Sequence, residues 1–210
     1  MNARETILLK LKGSLSGHND AGFIAQRDVF TEESGKSPLH RYTELALAEG
    51  TTVSKADSWT DVPTAVAHYL QVSGLPARIV INSRQPLSEA GWREAGIATS
   101  TSPLNADGDI LLGDCYGAVA ESGAIVISSS NSMAIANNFL AETHIILLRT
   151  ENVLPSLAEL WQSLRVDAGD GPMPREFCLV TGPSRTADLG VPAKMGAHGP
   201  ARVHVVIVDA

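Results

Sequence analysis

Apolar positions recur along this chain in two alternating periods, and that alternation sets the expected architecture. Val62, Ala65, Val66, Tyr69 and Leu70 fall at helical spacing behind Thr60 or Asp61 as a cap, with Pro63 in the first turn. A helix is predicted there, closed by Gly74-Leu75-Pro76. The run Arg78 to Asn82 is short and β-branched at Ile79-Val80-Ile81, which predicts a buried strand. The alternation continues with a helix near Leu87 to Ala95, turns around Pro103 to Gly108, a helix near Cys115 to Glu121, and strands at Ala124 to Ser128 and His144 to Leu148. Leu154, Leu157, Leu160, Trp161 and Leu164 share one face of a helix predicted over Val153 to Leu164. Strands at Phe177 to Thr181 and Val203 to Val208 flank a Gly/Pro-rich segment. Short apolar strands separated by amphipathic helices predict an α/β fold, with a mostly parallel sheet flanked by helices on both faces.

The first forty residues follow neither period. They read as a short helix, Ala3 to Lys12, and then a flexible stretch containing Gly13, Gly17, Gly22 and Gly35, which leaves 41–210 as the α/β domain. Composition agrees with a folded protein, at 44% hydrophobic and 19% charged residues over 210 positions. The net charge of −7 repels nucleic acid, and the Lys10, Lys12 pair is too sparse to form a basic patch. Cys115 and Cys178 are the two cysteines and lie far apart, so this chain alone cannot assemble a zinc site or a cysteine-ligated iron–sulfur cluster. No apolar run approaches the roughly 18 residues of a membrane span, and Met1 to Lys12 lacks a signal peptide's apolar centre. A cytoplasmic location is expected.

Ligands of open α/β sheets collect at the carboxyl ends of the strands, which directs attention to the loops. Thr181-Gly182-Pro183-Ser184-Arg185-Thr186-Ala187-Asp188 follows a predicted strand. Gly182 permits a tight turn, Ser184 can cap a helix, Arg185 suits bidentate binding of a carboxylate or phosphate, and Asp188 can hold that arginine. The alternative is a capped turn with an exposed ion pair. Gly196-Ala197-His198-Gly199-Pro200 precedes the last strand, and its flanking glycines leave the His198 imidazole open for proton transfer or hydrogen bonding. A plain turn histidine is the alternative. Glu121, in the turn Glu121-Ser122-Gly123, can act as base, nucleophile or anchor for a substrate hydroxyl, or can be an ordinary surface glutamate. His204 sits inside a strand and reads as a packing residue. Cys115 and Cys178 read as structural, and Ser128-Ser129-Ser130-Asn131-Ser132 as a polar loop. No Gly-x-Gly-x-x-Gly or Walker-type loop supports a bound nucleotide cofactor.

Taken in order, Ala120-Glu121-Ser122-Gly123-Ala124-Ile125-Val126, the strand at His144 to Leu148, Val180-Thr181-Gly182-Pro183-Ser184-Arg185-Thr186-Ala187-Asp188 and Gly196-Ala197-His198-Gly199-Pro200 resemble the LutC/YkgG family, the LUD-domain lactate utilization proteins. The likeness covers the second half of the chain, and more loosely the segment from Tyr69 onward. It implies a fold like the NagB/RpiA/CoA-transferase superfamily and a role in a three-protein system that oxidises L-lactate to pyruvate. The iron–sulfur clusters of that system are expected on partner subunits, with no cofactor in this chain. The resemblance brings three readings. In the first, Arg185 and Ser184 receive the carboxylate of lactate or a similar 2-hydroxy acid, and His198 or Glu121 manages the hydroxyl proton, with Gly123, Gly182, Thr186, Asp188 and Gly199 completing the ligand-binding surface. In the second, Glu121 is the nucleophile of a stand-alone acyl- or CoA-transferase. In the third, the chain is a non-catalytic assembly subunit for redox partners.

Overall fold

The computed structural model describes Arg4 and residues 36–83, 85, 87, 89–101, 104, 109–129, 135–186 and 194–209, with the backbone only at Lys194. The expected helix at Ala3 to Lys12 apart from Arg4, most of the turn segment Pro103 to Gly108, Ser130 to Ser132 and Asp188 lie outside the described residues.

The first described helix, α1 (Pro38–Ala48), is capped by Ser37, whose hydroxyl accepts the N–H of His40 at 3.3 Å, and Pro38 occupies its first turn. It starts ahead of the boundary at 41 read from the sequence. Two further helices, α2 (Val62–Val72) and α3 (Glu89–Glu94), follow β1 (Thr52–Ala56) and β2 (Arg78–Asn82) respectively. With β3 (Ala98–Ser100), β4 (Ile110–Asp114), β7 (Thr143–Arg149) and β12 (Arg202–Val208), these strands form a six-stranded sheet of order β1-β12-β7-β4-β2-β3. Every pairing in it is parallel. The apolar runs of β7 and β12 are buried on both faces, as interior strands of a parallel sheet require.

A second sheet supplies what helices alone were expected to supply on one face. β5 (Gly117–Val119), β6 (Ala124–Ser128), β8 (Val153–Leu154) and β9 (Phe177–Val180) pair in the order β8-β5-β6-β9, with β6 antiparallel to both its neighbours. Ile125 and Ile127 of this sheet pack with Tyr42 and Ala46 of α1 against Ile146, Leu148, Val205 and Ile207 of the parallel sheet. On the parallel sheet's other face lie Val66 and Leu70 of α2 and Trp92 of α3. The helix α5 (Leu157–Ala168) covers the outer face of the small sheet through Leu160 and Leu164, and a single turn, α4 (Asn137–Leu140), precedes β7.

Two local expectations are corrected. Residues 117–119 form a strand rather than a helix, because β5 runs so close to the next segment that a Cβ on Gly117 would fall 2.5 Å from the Asn152 carbonyl oxygen. The helix read from Val153 begins at Leu157, after Val153–Leu154 has paired with β5, and Ser156 caps it by accepting the Glu159 N–H at 3.3 Å. Cys178 lies on an edge strand of the small sheet.

Candidate functional site

The loop leaving β9 and the loop entering β12 are joined through Ser184. Its N–H donates to the Pro200 carbonyl at 2.8 Å, its carbonyl accepts the Gly196 N–H at 2.9 Å, and its hydroxyl accepts the His198 N–H at 3.2 Å. Beyond it, β10 (Arg185–Thr186) pairs antiparallel with β11 (Lys194–Met195), so Arg185 stands opposite Met195. Ser184 therefore does not cap a helix, as its sequence context suggested; strand pairing takes the residues that would have formed the first turn. Gly196 adopts φ 75°, and a Cβ there would lie 2.9 Å from that of Ala201, so glycine fits this corner for two reasons. Gly199 sits against both Ser184 and Phe139, with its would-be Cβ at 3.5 and 3.7 Å from them.

These loops wall a cleft of about 490 Å³ whose lining includes Phe139, Leu140, Glu142, Met195, His198 and Gly199. Leu140 and Met195 are exposed, His198 is exposed, and Glu142 pairs with Arg202 at 2.9 Å. The cleft thus offers an apolar wall, an imidazole and a carboxylate already balanced by a cation. It opens where Glu142 leads into β7 and Ala201 leads into β12, that is, at the amino ends of the parallel strands. This cleft is therefore not at the carboxyl ends of those strands, since His198 precedes its strand instead of following one.

Arg185 belongs to the same loop, but its guanidinium turns to α1 and donates to the Glu49 carbonyl. Glu49 is the C-cap of α1, so the arginine satisfies an otherwise open end of the helix. Gly182 approaches the same carbonyl, where a Cβ would come within 2.8 Å. Gly123 packs on the same helix: with φ 66°, its would-be Cβ lies 2.7 Å from that of Leu45. Glu121 points elsewhere. Its carboxylate accepts the Leu157 N–H at 2.9 Å, at the start of α5, where a negative charge is favoured. Ser184, His198 and Gly199 are therefore in contact, Gly123, Gly182 and Arg185 converge on α1, and the Glu121 carboxylate is bonded to α5. Thr186 is half-buried in β10.

His204 is the packing residue its place in a strand suggested. It stacks on Tyr69 at 3.8 Å between centroids and bonds Thr52 at 2.8 Å and Ser54 at 2.9 Å. Burial holds its pKa down to about 4, and that of His144 down to about 3. Burial raises the Cys115 thiol, which is bonded to the Leu147 carbonyl, far above the range of a reactive thiolate.

The sequence reading passed over a polar group at the carboxyl ends of the parallel strands. Ser83 donates to Asp114 at 2.6 Å, the Gln85 N–H donates to Ser83 at 3.0 Å, and Arg149 donates to the Gln85 side-chain oxygen at 3.1 Å. Arg149 also pairs with Glu151 at 3.2 Å and lies 5.2 Å over the Trp59 ring. Strand ends were the available signal. Among the described residues, no cluster of three or more His, Cys, Asp or Glu side chains is arranged to hold a metal, and no helix is long and apolar enough to cross a membrane.

The LUD domain family model matches residues 87–208. The chain is 33% identical over 95 residues to YkgG of Escherichia coli (strain K12), a match covering 45% of this chain and 41% of that protein. It is 30% identical over 127 residues to lactate utilization protein C of Geobacillus kaustophilus (strain HTA426), covering 60% and 46%, and 28% identical over 92 residues to that of Bacillus subtilis (strain 168), covering 43% and 38%. The chain thus spans less than half the length of these curated relatives. A crystal structure of a DUF162 family protein from Deinococcus radiodurans superimposes with a TM-score of 0.58 at 21% identity, over 83% of this chain and 99% of that one, which shows a shared fold.

Proposed function

The chain belongs to the LUD domain family, and from that premise we propose that it serves lactate utilization, as one component of a multi-protein system that oxidises L-lactate or a similar 2-hydroxy acid to pyruvate. Its own contribution is to bind a small carboxylate, or the redox partner that handles one, at the cleft that His198 lines. The observation that carries this reading is the bond from the His198 amide to the Ser184 hydroxyl, which closes two loops onto one cavity. Phe139, Leu140 and Met195 offer apolar surface suited to a methyl group, and His198 can donate to a carboxylate. We assign the carboxylate to His198 in preference to Arg185, because the guanidinium is engaged with Glu49. The iron–sulfur centres of such a system belong to companion subunits.

The transferase alternative, with Glu121 as nucleophile, has less behind it, since that carboxylate is bonded to the Leu157 amide. Affinity purification of the tagged full chain from its native host tests the proposal. Co-elution of cysteine-rich iron–sulfur proteins is expected on lactate-grown cells, and their absence counts against it.

A further inference from the structure

The aliphatic run of β4, Ile110-Leu111-Leu112, breaks at Gly113, which is buried like the residues before it. A glycine inside a strand gives up packing and often marks a place where another group approaches closely. Here the approaching groups are polar. A Cβ on Gly113 would lie 3.1 Å from Nε2 of His144 and 3.5 Å from Oδ1 of Asn138. The two residues are only 1% and 2% exposed, and neither of these atoms has a hydrogen-bond partner. The Asn138 amide is not free to turn, because its Nδ2 donates to the Ile135 carbonyl at 3.0 Å, which leaves Oδ1 on the side of the glycine. The register of the sheet adds a third group. Asn82 stands beside Gly113 and Gly113 beside Ile146, so the Asn82 side chain leaves the face of the parallel sheet that Ile146 turns toward the small sheet. Its amide nitrogen is also buried and without a partner. Orphaned atoms from β2, β7 and α4 thus share one face around a single glycine of β4, and buried polar atoms in native proteins are ordinarily paired.

We propose that Gly113 is the floor of a binding site for one uncharged hydroxyl group, which donates to Asn138 Oδ1, accepts from the Asn82 amide and has His144 Nε2 as its third partner. The inventory of donors and acceptors sets this class. Asn138 Oδ1 can only accept and Asn82 Nδ2 can only donate, so the occupant must do both. A carboxylate or phosphate only accepts: it would turn its lone pairs on Asn138 Oδ1, and its charge would enter a site whose imidazole burial keeps neutral. An ammonium only donates and leaves Asn82 unmet. A hydroxyl serves both amides, and Nε2 meets it as donor or acceptor according to the tautomer. The missing side chain of Gly113 lets that oxygen come down to the sheet. A small alcohol or polyol supplies this group, and so does a water molecule, which in a protein interior typically makes about three hydrogen bonds. The site is separate from the cleft that His198 lines, takes a neutral group where that cleft is assigned a carboxylate, and stands or falls independently of the lactate reading.

NMR of the full chain tests it, reading the Gly113 resonances and the ring nitrogens of His144. Methanol and glycerol are the hydroxyl probes, and formate is the charged counterpart of methanol. Saturable shifts at Gly113 and His144 with either alcohol identify a ligand hydroxyl. Where neither alcohol shifts them, cross-peaks from a long-lived water to the Gly113 α-protons identify water as the source of the group. Formate is expected to leave both residues unmoved. Gly113→Ala is expected to abolish the alcohol shifts or the water cross-peaks. Should Gly113→Ala lose its dispersed spectrum, Asn82→Ala, at a half-buried position, is expected to weaken alcohol binding about tenfold, or to remove the water cross-peaks, in a folded protein. Neither alcohol shifts nor water cross-peaks in the wild type, formate binding as tightly as methanol, or signals unchanged in a folded Gly113→Ala or Asn82→Ala variant would overturn the proposal.

Discussion

The hydroxyl of Ser184 accepts the backbone N–H of His198 at 3.2 Å, and through this bond the loop after β9 and the loop before β12 become one wall. Two further backbone bonds, to Pro200 and from Gly196, fix Ser184 itself. The shape of the cleft is thus set by a residue that does not line it.

Ser184→Ala removes the acceptor of the His198 amide and keeps the backbone bonds. A loss of about 1 kcal/mol in unfolding free energy is expected, the ordinary net worth of such a bond. Urea denaturation reads it, and Ser184→Thr is expected to restore most of the loss. Equal stability of wild type and Ser184→Ala would show that the hydroxyl does not hold the loop.

Two glycines with nearly the same backbone angle separate strain from crowding. Gly123 has φ 66° and would place a Cβ 2.7 Å from that of Leu45, whereas Gly74 has φ 65° and open space around it. Gly74→Ala is expected to cost about 1 to 2 kcal/mol from the backbone alone. Gly123→Ala is expected to cost about 1 to 3 kcal/mol more, since helix α1 must shift as well. Paired urea midpoints decide this, and equal costs would mean that the turn and the helix are not in the contact described.

His204 and His144 are buried and held neutral, with pKa values lowered to about 4 and about 3. For a group depressed in the folded state, the unfolded chain binds the proton first. Stability is therefore complete above about pH 6.5, the ordinary histidine value, and falls as pH drops toward 4. Each residue is expected to remove about 2 kcal/mol between pH 7 and pH 5. Denaturation midpoints measured across that interval test this, and His204→Asn is expected to flatten the slope by about half. A pH-independent midpoint would contradict it.

Arg185→Ala removes the bond to the Glu49 carbonyl at the end of α1. A loss of about 1 to 2 kcal/mol is expected, because a charge-assisted bond at a helix C-terminus disappears. If Arg185 instead serves a ligand directly, stability stays near wild type while small-carboxylate binding vanishes, so thermal denaturation and calorimetry together tell the two roles apart.

The sequence disclosed the interior of the fold better than its edges. The long strands β7 and β12 carry β-branched or aliphatic runs, and those runs follow from burial on both faces. β5 escaped notice because Gly117-Ala118-Val119 is short and fully buried, so it shows no alternation. The second sheet escaped for a related reason: which layer a strand joins depends on partners far along the chain, as Ile125 does on Val180. At the candidate site, glycines around Ser184 and His198 marked two loops that do meet. The partner of Arg185 is the carbonyl of Glu49, 136 residues away, and a backbone acceptor leaves no trace in residue types. Ser83, Asp114 and Arg149 were equally silent, since a single polar residue at the end of a strand resembles any solvent-facing terminus until the sheet is assembled.

Growth of the native host on L-lactate as sole carbon source measures the central claim most directly. A strain lacking this chain is expected to grow normally on glucose and to fail on L-lactate, with growth restored by the wild-type chain and poorly by His198→Ala. Normal growth of the deleted strain on L-lactate, in a host with no second copy of the gene, would contradict the account.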